Sequence, residues 1–370
     1  MTIIITPKYA TKILEKAVCL YTPSLHELPM AQYLEDLCDD MGFENIHIDD
    51  VGNLIATKGS GSPRILLCGH MDTVPGKINV RQEGDFLYGR GSSDAKAPLM
   101  AMLCAANSAV LNGGTVIFAG VVDEEGNALG IKNLVKQDLK IDYAIFGEPS
   151  GLNQITIGYK GRFAIKLTTS SKDSCHATAP WLTTNAIQES MIHAENIKKA
   201  LESGQEDKSK GMLLTATITE IVGGTSHNVT PQECNVTIDI RIPIGKSCKT
   251  VNDIIDKYIS TINDASTSVS YSILDETEPF ETNTDSVLIR AMNLGIFHVL
   301  KKRPSLIRKT GTGDMNILGN VLEIPVVTYG PGDSHSSHTI DERVSISQYI
   351  KGIEVLSAIL KKIKMVHDKS

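Results

Sequence analysis

In the stretch Arg64-Ile65-Leu66-Leu67-Cys68-Gly69-His70-Met71-Asp72, a short apolar run bounded by turn signals leads straight into a histidine and an acid. Such a run reads as a strand buried on both faces. The pattern recurs. Thr115 to Val122 (TVIFAGVV) leads into Asp123-Glu124-Glu125, Asp142 to Gly147 (DYAIFG) into Glu148, and Ile324 to Tyr329 (IPVVTY) into a loop holding His335 and His338. Strands that each deliver a ligand-type residue at the carboxyl end, with helices between them, predict an α/β sheet covered on both faces, its site along the carboxyl edge.

Outward from these runs, residues 8–41 carry helical periodicity broken at Tyr21-Thr22-Pro23-Ser24. The middle of the chain changes character. Arg162 to Ser170 alternates like a half-exposed strand, Asn185 to Glu202 is helical, and Leu213 to Val222 and Cys234 to Ile242 are strands. Thr250 to Asn263 is helical, and Ser266 to Leu274 is again a strand. The order β-α-β-β-α-β predicts a ferredoxin-like α+β domain. The expected organisation is a discontinuous catalytic domain of residues 1–159 and 276–370, interrupted by an inserted domain at 160–275.

Length and composition fit this plan. The chain has 370 residues, enough for two domains. Lys+Arg 36 against Asp+Glu 43 gives a net charge of −7, which argues against general nucleic-acid binding. The cysteines Cys19, Cys38, Cys68, Cys104, Cys175, Cys234 and Cys248 are odd in number and scattered, with no C-x-x-C pair; a reducing compartment is the simpler expectation. The opening MTIIITPKYATKILEKAV turns charged too soon for a signal peptide, and the apolar helical candidate Pro98 to Leu111 is too short for a membrane span. A cytoplasmic chain without a membrane segment follows as the expectation.

Each candidate residue has an ordinary explanation when taken alone. Glu124-Glu125 would serve as a solvated strand end, and Asp94, in Gly89-Arg90-Gly91-Ser92-Ser93-Asp94 before a helix, as an N-cap. Glu148 before Pro149 would be a turn residue, and His338 a surface histidine. Their joint position at strand ends points instead to metal. Two histidines and three carboxylates suit two divalent ions that share a carboxylate bridge, because imidazole has one lone pair for one cation. Such ions stand about 3.5–4 Å apart and activate a water between them. Imidazole and carboxylate donors suit zinc, with cobalt or manganese as alternatives. Asp72 stands two residues from His70, where it can fix the second ring nitrogen. Hydrolysis also needs a base. One of Glu124 and Glu125 can bind metal while the other serves as base; the residues alone leave the assignment open.

HMDTVPG, GRGSSDAK, DEEGN, GEPSG and HTIDERV, in this order from about residue 66 to 344, resemble the metal motifs of the acetylornithine deacetylase, succinyl-diaminopimelate desuccinylase, aminoacylase and carboxypeptidase G family. The resemblance implies a zinc-exopeptidase-like catalytic domain, a mixed sheet with helices on both faces, and an inserted lid and dimerisation domain. By position it assigns His70 and Glu148 to one metal, Glu125 and His338 to the other, Asp94 to the bridge, Glu124 to the base and Asp72 to orienting His70. His335 matches no ligand position. Cys175-His176-Ala177 resembles the segment whose histidine stabilises the tetrahedral oxyanion, often across a homodimer. The stretches holding Asn228 and Arg241 resemble carboxylate-binding motifs, and Gly311-Thr312-Gly313-Asp314-Met315-Asn316 the family's substrate-facing loop, giving Asn228, Arg241, Thr312 and Gly313 as substrate-binding candidates. Arg241 could equally pair with Asp239.

Within that family, DAKAPL, RKTGTGDMN and YGPGDS resemble the hydrolases that release lysine or ornithine from an acidic amino-group carrier protein. Ala97 and Ile340 depart from the glycine and proline usual in that group, at positions that are not ligands. An acidic enzyme needs a local basic patch to receive an acidic carrier, and Lys301-Lys302-Arg303 with Arg308-Lys309 is the candidate. The rival expectations are a deacetylase for acetyl-ornithine or acetyl-lysine, a succinyl-diaminopimelate desuccinylase, and a non-catalytic binding protein of the same fold. The complete ligand set speaks against the last.

Overall fold

The computed structural model describes residues 3–369, apart from 110, 112, 206–209 and 263–266. They fall into two compact units, one of Met1–Gly158, Glu281–Ile307 and Gly313–Ser370, the other of Tyr159–Phe280 with Arg308–Thr312.

The chain begins with helix α1 (Pro7–Cys19), whose N-cap Thr6 accepts the Tyr9 N–H and whose first residue is the proline favoured there. Ala10, Ile13, Leu14, Ala17 and Val18 form its buried stripe. Helix α2 (Leu28–Asp40) follows, then β1 (Glu44–Ile48), β2 (Leu54–Gly59), β3 (Arg64–His70), β4 (Arg81–Glu83), β5 (Phe86–Tyr88), α3 (Lys96–Ser108), β6 (Thr115–Val121), α4 (Leu129–Leu134), β7 (Tyr143–Phe146) and β8 (Gln154–Tyr159). The second unit contributes β9 (Gly161–Ser171), α5 (Ala186–Glu202), β10 (Thr215–Gly223), β11 (Glu233–Ile242), α6 (Cys248–Ser260) and β12 (Thr267–Thr277). The chain then returns through β13 (Phe280–Glu281), α7 (Val287–Leu300), β14 (Ser305–Lys309), α8 (Asp314–Leu322), β15 (Val326–Thr328), β16 (Arg343–Ser345) and α9 (Ile346–His367).

The large sheet has the order β1-β2-β6-β3-β7-β15-β8-β13, with β14 beside β8. β3 runs parallel to both β6 and β7, and β15 parallel to β7. Every residue of β6 and β7 is buried, as is β3 beyond Arg64. That is why these strands read as unbroken apolar runs rather than alternating ones. Being parallel, β3, β6, β7 and β15 also end at one edge of the sheet, and the loops that follow them gather there.

Helix α3 is buried from Lys96 to Asn107, and α9 packs against both α3 and α7. At Gly295 of α7 an added Cβ would lie 2.8 Å from the Ile359 Cα, so the close approach of α7 and α9 requires glycine. Phe118 in β6 is fully buried and meets Phe43 edge-on at 6.3 Å. Phe118→Ala should lower stability by about 3–5 kcal/mol, seen as a lower urea midpoint at unchanged slope.

In the second unit the elements run β-α-β-β-α-β, and the antiparallel sheet has the order β10-β11-β9-β12. Phe163, Ile165, Leu167, Val236, Ile238 and Ile240 point to one face, where Ala194 and Ile197 of α5 and Val251 and Ile255 of α6 cover them. This is the ferredoxin-like arrangement the alternation predicts. Helix α6 starts at Cys248, earlier than the periodicity suggests, because Ser247 caps it through the Thr250 N–H. The expected element ends at Asn263 and Ser266 lie outside the described residues. Among the described residues no helix is long and apolar enough to cross a membrane.

Candidate metal centre

His70 closes β3 and is 1% exposed. Its Nδ1 stands 3.0 Å from the Asp72 backbone oxygen and 3.3 Å from Asp72 Oδ1. A proton on Nδ1 satisfies both, leaving the Nε2 lone pair free to face outward. That Nε2 lies 3.3 Å from Asp94 Oδ1 and 3.7 Å from Glu148 Oε1, at the end of β7. On the other side, His338 Nε2 lies 2.8 Å from Glu125 Oε1 and 3.4 Å from Asp94 Oδ2. Each oxygen of Asp94 thus faces a different imidazole. Asp94 does not cap α3, whose N-cap is Ala95.

Ligand atoms of His70, Asp94 and Glu148 all lie within 4.8 Å of one another, and so do those of Asp94, Glu125 and His338. Asp94 is common to both groups. The donors are nitrogen and oxygen only, a set that fits zinc, cobalt or manganese. The local charges are strongly felt. Hydrogen bonding to Asp94 leads in pushing His338 up to about 9, against its burial. Burial pushes the Glu124 carboxyl up, and the charges of Glu148, Asp314 and Glu125 add to this while His70 opposes it.

The turn after β6 is held by Asp72. Its Oδ1 accepts the Glu124 N–H at 3.2 Å, and its Oδ2 accepts the Glu125 N–H at 3.0 Å and the Ser24 hydroxyl at 2.8 Å. Asp123 adopts the left-handed region at φ 59°, and its N–H is taken by buried Glu27 Oε1 at 3.0 Å. An added Cβ at Gly126 would sit 2.1 Å from Asp123 Oδ1, so a larger residue there would have to displace the Asp123 carboxylate. Ser24, in the helix break Tyr21-Thr22-Pro23-Ser24, and Glu27 just beyond it therefore brace the acidic turn. Lys96 is buried and donates to Leu20 O just ahead of that break. The signal for this was Ser24 and Glu27 in a segment otherwise free of helical pattern.

Two further groups lie within stretches quoted above, Glu342 in HTIDERV and Asp314 in the glycine-rich loop, but were given no role of their own there. Glu342 Oε1 accepts the N–H of Ser93 and of Asp94, each at 3.0 Å, and its Oε2 receives Arg90 Nη1 at 2.7 Å. Asp314, at the start of α8, is buried, its Oδ2 without a hydrogen-bond partner among the described residues, and burial leads in pushing its carboxyl up to about 7.

The remaining candidates fall into separate places. Gly313 stands beside Glu124, 3.7 Å from its Oε1 when measured to an added Cβ. In the second unit His176 is exposed, its Nδ1 3.0 Å from Thr178 Oγ1, and its loop meets that of Asn228 through the Ala177 N–H and the Asn228 carbonyl at 2.8 Å. Arg241 does pair with Asp239, Nε to Oδ1 at 2.7 Å and Nη2 to Oδ2 at 3.3 Å, and its Nη1 donates to Thr312 Oγ1 at 3.0 Å. Asp239 also receives Arg162 Nε at 2.7 Å. His335 is exposed and meets Asp333 at 3.0 Å.

Residues 66–362 match the family described as peptidase family M20/M25/M40. A Pyrococcus horikoshii protein, provisionally named a LysW-lysine/LysW-ornithine hydrolase, is 35% identical over 353 residues, 95% of this chain and 97% of its own. The LysW-lysine/LysW-ornithine hydrolase of Sulfurisphaera tokodaii is 33% identical over 353 residues, 93% of this chain and 95% of its own. A tripeptidase from Staphylococcus aureus shares the fold, with a TM-score of 0.84 at 21% identity over 98% of this chain and 99% of that one. The matched span takes in β6, β7, β15, β3 from Leu66 onward and every candidate metal ligand, and the relatives are alike over nearly the whole chain; the protein is a member of peptidase family M20/M25/M40.

Proposed function

We propose that this protein is a two-metal amide hydrolase that releases L-lysine or L-ornithine from the γ-glutamyl end of an amino-group carrier protein. The observation that carries the metal assignment is Asp94, whose two oxygens face His70 and His338 separately. The carrier-linked substrate rests on the names of relatives from Pyrococcus horikoshii and Sulfurisphaera tokodaii.

In this reading His70, Glu148 and Asp94 hold one divalent ion, and His338, Glu125 and Asp94 hold the other. Zinc is the first choice and cobalt the alternative. When bound, such a pair acidifies a water and polarises the amide carbonyl. Glu124 takes the proton as the water oxygen adds to the carbonyl carbon, then returns it to the departing amine as the C–N bond breaks. Asp72 keeps His70 and the Glu124 turn in place. His176 donates to the developing oxyanion. Asn228, Arg241, Thr312 and Gly313 receive the substrate; Arg241 retains a partly exposed guanidinium while bound to Asp239. The second unit serves as lid and dimerisation domain. β10 is an edge strand with Ile221 48% and Val222 58% exposed, a surface that suits a homodimer.

The test compares carrier-linked lysine and ornithine with acetyl-ornithine, acetyl-lysine and succinyl-diaminopimelate on the purified protein. The carrier-linked amides should be hydrolysed fastest. Preference for a small acylated amino acid would replace this function with a deacetylase or desuccinylase. The carrier is acidic, and Lys301, Lys302 and Arg303 are exposed where α7 ends. Reversing all three to Glu should lower kcat/KM on carrier-linked lysine about tenfold, ~1.4 kcal/mol, while sparing acetyl-lysine. Equal loss on both substrates defeats the docking role.

A further inference from the structure

We infer that Glu342 is a positioning residue that sets the Asp94 carboxylate between the two histidines. The inference rests on the proposed two-metal reading and extends it to a residue with no ligand role.

Asp94 lies at the end of a loop, Gly89 to Asp94, that follows β5 and turns through a left-handed glycine at Gly91, φ 82°. Its last two peptide N–H groups would be buried donors without a partner unless something supplied an acceptor, and such orphans are costly. Glu342 supplies it: one oxygen accepts both N–H groups at 3.0 Å. A carboxylate buried to 0% exposure needs a counter-charge, and Arg90 provides it at 2.7 Å while its own Nε donates to Gly76 O at 2.9 Å. Arg90 belongs to the same loop, so the pair clamps the loop from within.

The clamp is registered by strand pairing. β16 pairs with β5, Arg343 opposite Tyr88, and the Gly89 N–H donates to the Glu342 carbonyl at 3.2 Å. Glu342 therefore cannot slide along the loop. It also lies four residues after His338, so one stretch of chain delivers a histidine to one side of Asp94 and an anchor to its backbone. The anchor acts on the backbone alone, leaving both Asp94 oxygens for the imidazoles and the cations they would share.

Zinc titration of metal-stripped protein tests this, with far-UV circular dichroism to establish folding. Wild type should take up two zinc ions, and Asp94→Ala should lose that stoichiometry; if it does not, the two-metal reading itself fails, whatever Glu342 does. Glu342→Asp keeps the charge and Arg90 but is one methylene short of the two N–H groups. It should fold and bind zinc 10–100-fold more weakly, as disturbed supports of metal ligands do. Glu342→Gln offers an acceptor to the N–H groups only by turning its NH2 toward Arg90, and should show the same weakening. Asp94→Ala affecting stoichiometry while both folded Glu342 variants keep wild-type zinc affinity would overturn the inference.

Discussion

Glu124→Gln should leave both ions bound and cut the single-turnover rate by about 10³-fold, within the 10²–10⁴ range of general acid–base contributions. The two groups that share Asp94 are complete without Glu124, so its loss removes no proposed ligand. Glutamine has the same shape, and the backbone that carries it stays tied to Asp72 Oδ1 at 3.2 Å. What disappears is the ability to take a proton. Burial raises the Glu124 carboxyl above the ordinary glutamate range, bringing its proton affinity closer to that of the groups it must serve. Metal analysis alongside rapid-quench kinetics checks both halves of the expectation. A variant that loses an ion, or keeps its rate within about tenfold, would exchange the roles of Glu124 and Glu125.

Asp72→Asn is the second large effect. Each Asp72 oxygen has donors in front of it: Oδ1 faces the Glu124 N–H and His70 Nδ1, and Oδ2 faces the Glu125 N–H and the Ser24 hydroxyl. An asparagine must point its NH2 at one of those pairs, whichever way it turns. Either the His70 ring loses the partner that fixes its proton, or the acidic turn loses one of its anchors. The expected result is a drop of 10–100-fold in both zinc affinity and kcat/KM, with the fold retained. Parallel zinc titration and steady-state kinetics read this out, and unchanged values in both would show that the Asp72 backbone carbonyl alone orients His70.

The buried strands were the most legible part of the fold. β3, β6, β7 and β15 lie inside runs that read as apolar because both faces are covered. β1 and β2 were not anticipated: Glu44–Ile48 is largely exposed, and Leu54–Gly59 ends in a polar half. β4 and β5, three residues each, are too short for any periodicity to form. The structure brings together His70, Asp94, Glu125, Glu148 and His338, residues the sequence singled out as candidates, although the residues alone left the choice between Glu124 and Glu125 open. The supports behind them were not singled out. Ser24 and Glu27 act through hydrogen bonds across 48 and 96 residues, and Glu342, though it lies inside HTIDERV, carries no mark there of the backbone it will hold. A support's identity depends on what the fold brings against it, and no local pattern carries that information.

His338 stands 213 residues from Glu125, and Glu342 stands 252 from Arg90. Chains fold from the amino end as they leave the ribosome. A growing chain therefore exposes Asp94, Glu124, Glu125 and Glu148 long before the far imidazole and the anchor beneath Asp94 have been translated. The half of the candidate centre that needs His338, and the Glu342 anchor of Asp94, can therefore form only after the rest of the centre has been translated.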